Sequence, residues 1–139
     1  MTTSNQERPL NPSTASIWQK GLTGGLVGAA INLIVLWIAQ SLMGGPLEIT
    51  MPPTNTLAPL PWWQVVIATL VPAAGATVLY WLLLRFVPGA TPIFWIAGLL
   101  FLLLSFFGPL GLPVAAGVKT TLVIMHIVAG LSILTFLTR

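Results

Sequence analysis

The chain has 139 residues, of which 56% are hydrophobic and 5% charged, with five Lys and Arg against two Asp and Glu and a formal net charge of +3. Soluble domains are about a quarter charged, and a nucleic-acid surface needs a basic stripe, whereas Arg8, Lys20, Arg85, Lys119 and Arg139 stand far apart. There is no cysteine, which excludes disulfides, thiolate chemistry and cysteine-held metals or clusters.

Charged and imidazole side chains divide the rest of the sequence. None lies between Arg85 and Lys119, and Glu48 and His126 are the other two between Lys20 and Arg139. A helix rising about 1.5 Å per residue needs about 20 apolar residues to cross a hydrocarbon core about 30 Å thick. The tracts 21–47, 49–84, 86–118 and 120–138 supply four such crossings. The expected fold is all-α, an integral membrane four-helix bundle.

In chain order, residues 1–19 are polar, include Pro9 and Pro12, and read as a flexible tail ahead of a transmembrane domain over 20–139. A cleavable secretory signal has a shorter apolar core and no such lead. The first span is expected at about 21–43, ended by Gly44, Gly45 and Pro46. Five prolines, Glu48 and Asn55 then make 44–61 a Pro-rich outer loop, with a short extended piece where Leu47 to Met51 alternate.

Trp62 and Trp63 suit the interface and open a second span at about 62–86, closed by Pro88 and Gly89. Inside it Pro72 cannot donate to the Ala68 carbonyl, so a mild kink is expected. That freed carbonyl either meets a neighbouring group or contacts a ligand. The third span is expected at about 92–107, with Pro92 in its first turn and Gly98 and Ser105 facing inward. Residues 108–113 are a breaker cluster too apolar for bulk water, turning in the interface or against the bundle, and a fourth span follows at about 114–138. Four crossings put both ends on one side. The positive-inside bias makes that side cytoplasmic, with Arg8, Lys20, Arg85 and Arg139 inside and Glu48 and Lys119 outside.

Helices in lipid associate through small residues and shared hydrogen bonds. Gly24, Gly28 and Asn32 form one such stripe on the first span, beside Gly21 and Gly25. The stripe serves either a contact within the bundle or a dimer seam.

His126 lies at the centre of the fourth span and Asn32 at the centre of the first. An ionisable residue at that depth is a candidate functional site. If these helices adjoin, Asn32 and His126 meet, with Thr69 or Thr77 close enough to join them. Proton transfer, quinone contact and haem ligation all use a buried imidazole, and the plainer role is a hydrogen bond between helices. No span carries a carboxylate for an acid relay. Met125 points about 100° away from His126 on a helix and cannot complete a haem site with it. Metal catalysis lacks two good ligands, so enzyme activity is not expected of this chain alone. No cofactor is predicted, and a haem, quinone or pigment is left open for an assembly. Glu48 and Lys119 form a candidate outer-loop site, either as an exposed ion pair or around a loop ligand.

Leu104-Ser105-Phe106-Phe107-Gly108-Pro109-Leu110 and Met125-His126-Ile127-Val128-Ala129, with Leu47-Glu48-Ile49-Thr50 and Arg85, carry a family resemblance. The chain resembles an uncharacterised family of small four-helix bacterial integral membrane proteins, a domain of unknown function. The likeness spans about residues 20–138 and implies that Ser105, Pro109, Met125 and His126 are marked positions. It implies a four-span fold in the bacterial cytoplasmic membrane and supplies no activity.

Two functions are carried forward. One is a non-enzymatic accessory or structural subunit, solvated by the bilayer and binding a protein partner or a second copy. The other is a small-molecule carrier or cofactor-binding module around Asn32 and His126. A cavity reaching from the outer loop to His126 favours the second, and a dry bundle with an exposed apolar seam favours the first.

Overall fold

The computed structural model describes residues 14–51 and 56–139. Four long helices make an up-down-up-down bundle: α1 (Thr14–Met43), α2 (Trp62–Phe86), α3 (Ala90–Ser105) and α5 (Ala116–Thr138). A hairpin of β1 (Glu48–Met51) and β2 (Thr56–Pro59) joins α1 to α2, and the short helix α4 (Phe107–Gly111) follows α3. All four spans are long and apolar enough to cross a membrane, the third formed by α3 and α4 together over Ala90–Gly111. The protein is an integral membrane four-helix bundle.

The boundaries depart from expectation where side chains decide them. Residues 14–19 belong to α1 and are not tail. Ile17 is buried against the cluster containing Ile133 and Leu137, and Lys20 Nζ donates to the main-chain oxygen of Arg139, so this turn has partners. The rest of the expected tail lies outside the described residues. α3 begins at Ala90, after Gly89 takes a positive φ of 71° that favours glycine, and Pro92 still falls in the first turn. At 16 residues α3 rises about 24 Å, short of a full crossing. Pro109 cannot donate to the Ser105 carbonyl, which breaks the ladder there. Leu110 N then donates to Phe106 O at 3.0 Å and carries the chain one more turn through α4. Leu112, preceding Pro113, is extended, and α5 starts at Ala116.

The loop over 44–61 is more regular than its prolines suggest. β1 and β2 pair antiparallel with Glu48 opposite Pro59 and Met51 opposite Thr56, and Leu60 N donates to Leu47 O at 2.7 Å. Asn55 lies outside the described residues. Leu47, Ile49 and Leu60 are buried with Leu36, Val65, Val118 and Met125, so the hairpin base caps its end of the bundle. A second cluster, with Ile17, Ala73, Tyr80, Phe94 and Leu137, fills the other end.

The glycines of α1 face its neighbours. A Cβ on Gly24 would lie 2.9 Å from Phe136 Cβ and 3.2 Å from Ser132 O of α5, and one on Gly25 would lie 2.9 Å from Ala73 Cβ of α2. Gly28 sits between both, near Ser132 and Thr69, and Gly21 abuts Thr77 Oγ1. The stripe therefore serves contacts within the chain, where close backbone approach replaces the hydrophobic drive that lipid removes. α3 has no such embrace. Only 11% of the third span is buried, against 39% of the first. It is held near its start by Tyr80 against Phe94, ring centroids 4.6 Å apart, by the Tyr80–Thr91 hydroxyl pair at 3.0 Å and by Trp95 Nε1 donating to Thr138 Oγ1 at 3.2 Å, and further along by the approaches of Gly98 to Leu134 and of Gly130 to Leu102.

Candidate functional site

Between the two apolar clusters the bundle has a polar layer. Asn32 of α1 is 2% exposed, and its Nδ2 donates to Thr69 Oγ1 at 3.2 Å and to the main-chain oxygen of Met125 at 3.1 Å. Both amide hydrogens are thereby used. Reversing the amide would set its oxygen against the Met125 carbonyl, so the orientation is fixed chemically. Thr69 Oγ1 in turn donates to Val65 O at 2.9 Å. Asn32 Oδ1 remains, buried and without a hydrogen-bond partner. An amide oxygen buried that way costs about 1–3 kcal/mol in lost solvation.

Asn32 also forms part of the floor of a cavity of about 890 Å³ between α2, α3 and α5. This lies within the range of about 300–1,000 Å³ typical of small-molecule sites. Ile49 and Leu60 of the hairpin border it, Val65, Thr69 and Met125 line it, and it extends to Phe94 and Leu134. Small residues make the space: Ala68, Gly75 and Ala76 on α2, Ala97 and Gly98 on α3, Ala129 and Gly130 on α5. Exposed Pro72, Gly75 and Phe101 lie among the lining residues, so the cavity opens at the outer, lipid-facing surface.

His126 is partly buried and lines this cavity, with Nδ1 2.7 Å from Leu122 O one turn back. A carbonyl only accepts, so Nδ1 carries the hydrogen. In the neutral ring that tautomer leaves Nε2 an acceptor. The expected meeting of Asn32 with the His126 ring is not made. Asn32 reaches the backbone of the preceding residue instead, because positions 125 and 126 diverge by about 100° around the helix.

The other candidate positions divide. Thr69 belongs to the polar layer, whereas Thr77, also buried, donates to Ala73 O at 2.7 Å and packs against Gly21. It lies eight residues beyond Thr69, about 12 Å along the helix, too far to join. Ser105 and Pro109 both line the cavity with Met125 and His126, so the four positions marked by the resemblance surround one space. Ser105 Oγ donates to Leu102 O at 2.6 Å. Lys119 Nζ donates to Leu110 O at 3.1 Å, and Glu48 and Lys119 form no ion pair. That lysine is drawn to the broken end of α4, where carbonyls lack helical donors.

Sequence reasoning singled out the Ala68 carbonyl freed by Pro72, and both residues border the cavity. It passed over Ala97, Phe101 and Gly130, whose signal was small or flat side chains at helical spacing on α3 and α5. Among the described residues no three His, Cys, Asp or Glu side chains gather. The arrangement offers hydrogen-bond acceptors within an apolar, membrane-facing recess.

No curated protein and no solved structure matches the chain. A family model does, over residues 12–139, and on that match the chain belongs to DUF6069, a family of unknown function.

Proposed function

We propose that the protein is a membrane binding module for a small lipophilic molecule, which it admits from the bilayer into the recess between α2, α3 and α5. The single observation carrying this reading is the cavity that runs from the hairpin base to His126 and is lined by Asn32, whose buried side-chain oxygen lacks a partner. The low burial of the third span supports it, since a helix with most of its surface outside the bundle can yield to a guest along the faces it does not anchor. Nothing in the recess points to chemistry on the guest. The function is holding or carrying, with Asn32, Thr69 and His126 setting the polar end.

A rival reading is an accessory subunit whose α3 face meets a protein partner. It draws on the same exposed third span, but lipid covers such a face equally well, and it leaves the Asn32 oxygen unexplained. For topology we take both ends as cytoplasmic in a bacterial inner membrane. Lys20, Arg85 and Arg139 share one end of the bundle, and Lys119 lies at the other, as the positive-inside bias requires.

The test is native mass spectrometry of the protein extracted from its membrane in mild detergent, alongside an Ala97→Phe variant. A benzyl group there occupies the recess without crossing an α1 contact. The wild type should carry a bound lipophile of defined mass, and the variant should lose it with helix content unchanged. Equal retention by both, or no bound species in either, would contradict the reading.

A further inference from the structure

The donors on the cavity wall are already committed. Both hydrogens of Asn32 Nδ2 go to Thr69 and Met125, the Thr69 hydroxyl to Val65 O, the Ser105 hydroxyl to Leu102 O, and the His126 Nδ1 hydrogen to Leu122 O. Gln64, in the first turn of α2, is the one lining amide with donors to spare, and it stands at the hairpin end of the cavity, five residues before Thr69. Acceptors remain: Asn32 Oδ1, the Ala68 carbonyl that Pro72 cannot serve and, in the neutral ring, His126 Nε2. Each hydroxyl donates on its own helix, one turn back, and turning it toward a guest would give up that bond.

We infer that the guest is an uncharged lipophilic alcohol or phenol, whose hydroxyl donates to the acceptors around Asn32 and His126 while its apolar body lies toward α3. The inference rests on the cavity reading above and names the class of molecule it takes. A ketone, quinone, ester or ether brings only further lone pairs to a wall of lone pairs and gains no hydrogen bond at depth. An ammonium would donate, but no carboxylate lies in any span to balance its charge in a low-dielectric setting. A hydroxyl satisfies both conditions. Asn32 Oδ1 is closely covered, so His126 Nε2 is the acceptor a guest meets first. A water donating at the same place does not change the selection, because a hydroxyl replaces its bond and an ether displaces it without return.

The test uses full-length protein in lipid nanodiscs and two radiolabelled probes of nearly equal shape, the isoprenoid alcohol farnesol and its methyl ether. Retention is measured as excess over protein-free nanodiscs of the same lipid, which removes simple partitioning. Farnesol should be retained about tenfold more tightly than the ether, the scale of one hydrogen bond at a buried acceptor. His126→Phe should bring farnesol down to the level of the ether. Equal retention of the two probes by the wild type would overturn the inference and leave the cavity reading standing. Excess retention of neither would overturn both. The probe pair needs no substitution, so a variant that fails to fold does not shield the inference.

Discussion

Replacing Asn32 by leucine separates a polar group kept for the fold from one kept for a ligand. The substitution removes two bonds between helices, to Thr69 and Met125, and cross-helix bonds in membrane proteins average about 0.6 kcal/mol each. It also removes the buried Oδ1, whose lack of a partner costs about 1–3 kcal/mol. Neither former partner is orphaned, because Thr69 still donates to Val65 O and the Met125 carbonyl keeps its helical position. Leucine repeats asparagine's branched outline of four side-chain heavy atoms, with methyl groups larger than the amide oxygen and nitrogen they replace, and suits a layer between two apolar clusters. The two terms leave the variant between unchanged and about 2 kcal/mol more stable than the wild type. Unfolding in dodecyl maltoside titrated with sodium dodecyl sulfate, followed by far-ultraviolet circular dichroism, reads this difference. Retention of farnesol should fall at the same time. A loss of stability above about 2 kcal/mol would refute the reasoning, since Asn32 would then act as satisfied glue.

Gly24→Ala should destabilise by about 1 kcal/mol, because its methyl meets Phe136 Cβ and the α5 backbone and overpacking outweighs the gain in helix propensity. Gly75→Ala, where a Cβ meets nothing within 4 Å, should gain about 0.5–1 kcal/mol in the same titration; matching signs for the two would undo the packing account. Glu48→Gln should change stability by less than about 0.5 kcal/mol, as befits an exposed carboxylate that forms no ion pair with Lys119, and a larger loss in the titration would reveal a partner. Single cysteines at Asn5, Asn55 and Pro88 should react with an impermeant thiol reagent outside sealed cells only at position 55; labelling at position 5 would reverse the proposed topology.

Much of the fold was legible because hydropathy over about 20 residues is a strong signal. The end of α1 at Met43 and both limits of α2 fall where glycine, proline and paired tryptophans placed them. β1 showed in its alternation, but β2 did not, since Pro59 argues against a strand and is tolerated there at the end of a two-stranded edge. Asn32 and Thr69 could be brought together from depth alone. Thr77 has the same chemistry and the same face, but its spacing of eight residues from Thr69 already sets it about 12 Å away, and the closeness of Gly21 shows where it packs. Glu48 and Lys119 share one end of the bundle, yet the carbonyls of α4 compete for the lysine. The cavity was least legible. It arises where α3 parts from α2 along faces of small and apolar residues that fill or leave space equally well, and periodicity carries no information about that separation.

The most direct measurement is an experimental structure of the protein in a lipid nanodisc with farnesol supplied. The account predicts an elongated guest between α2, α3 and α5, its hydroxyl within hydrogen-bond distance of His126 Nε2 or Asn32 Oδ1. An α3 closed against α2, with the Asn32 oxygen satisfied by the protein's own groups and no guest between the helices, would contradict it.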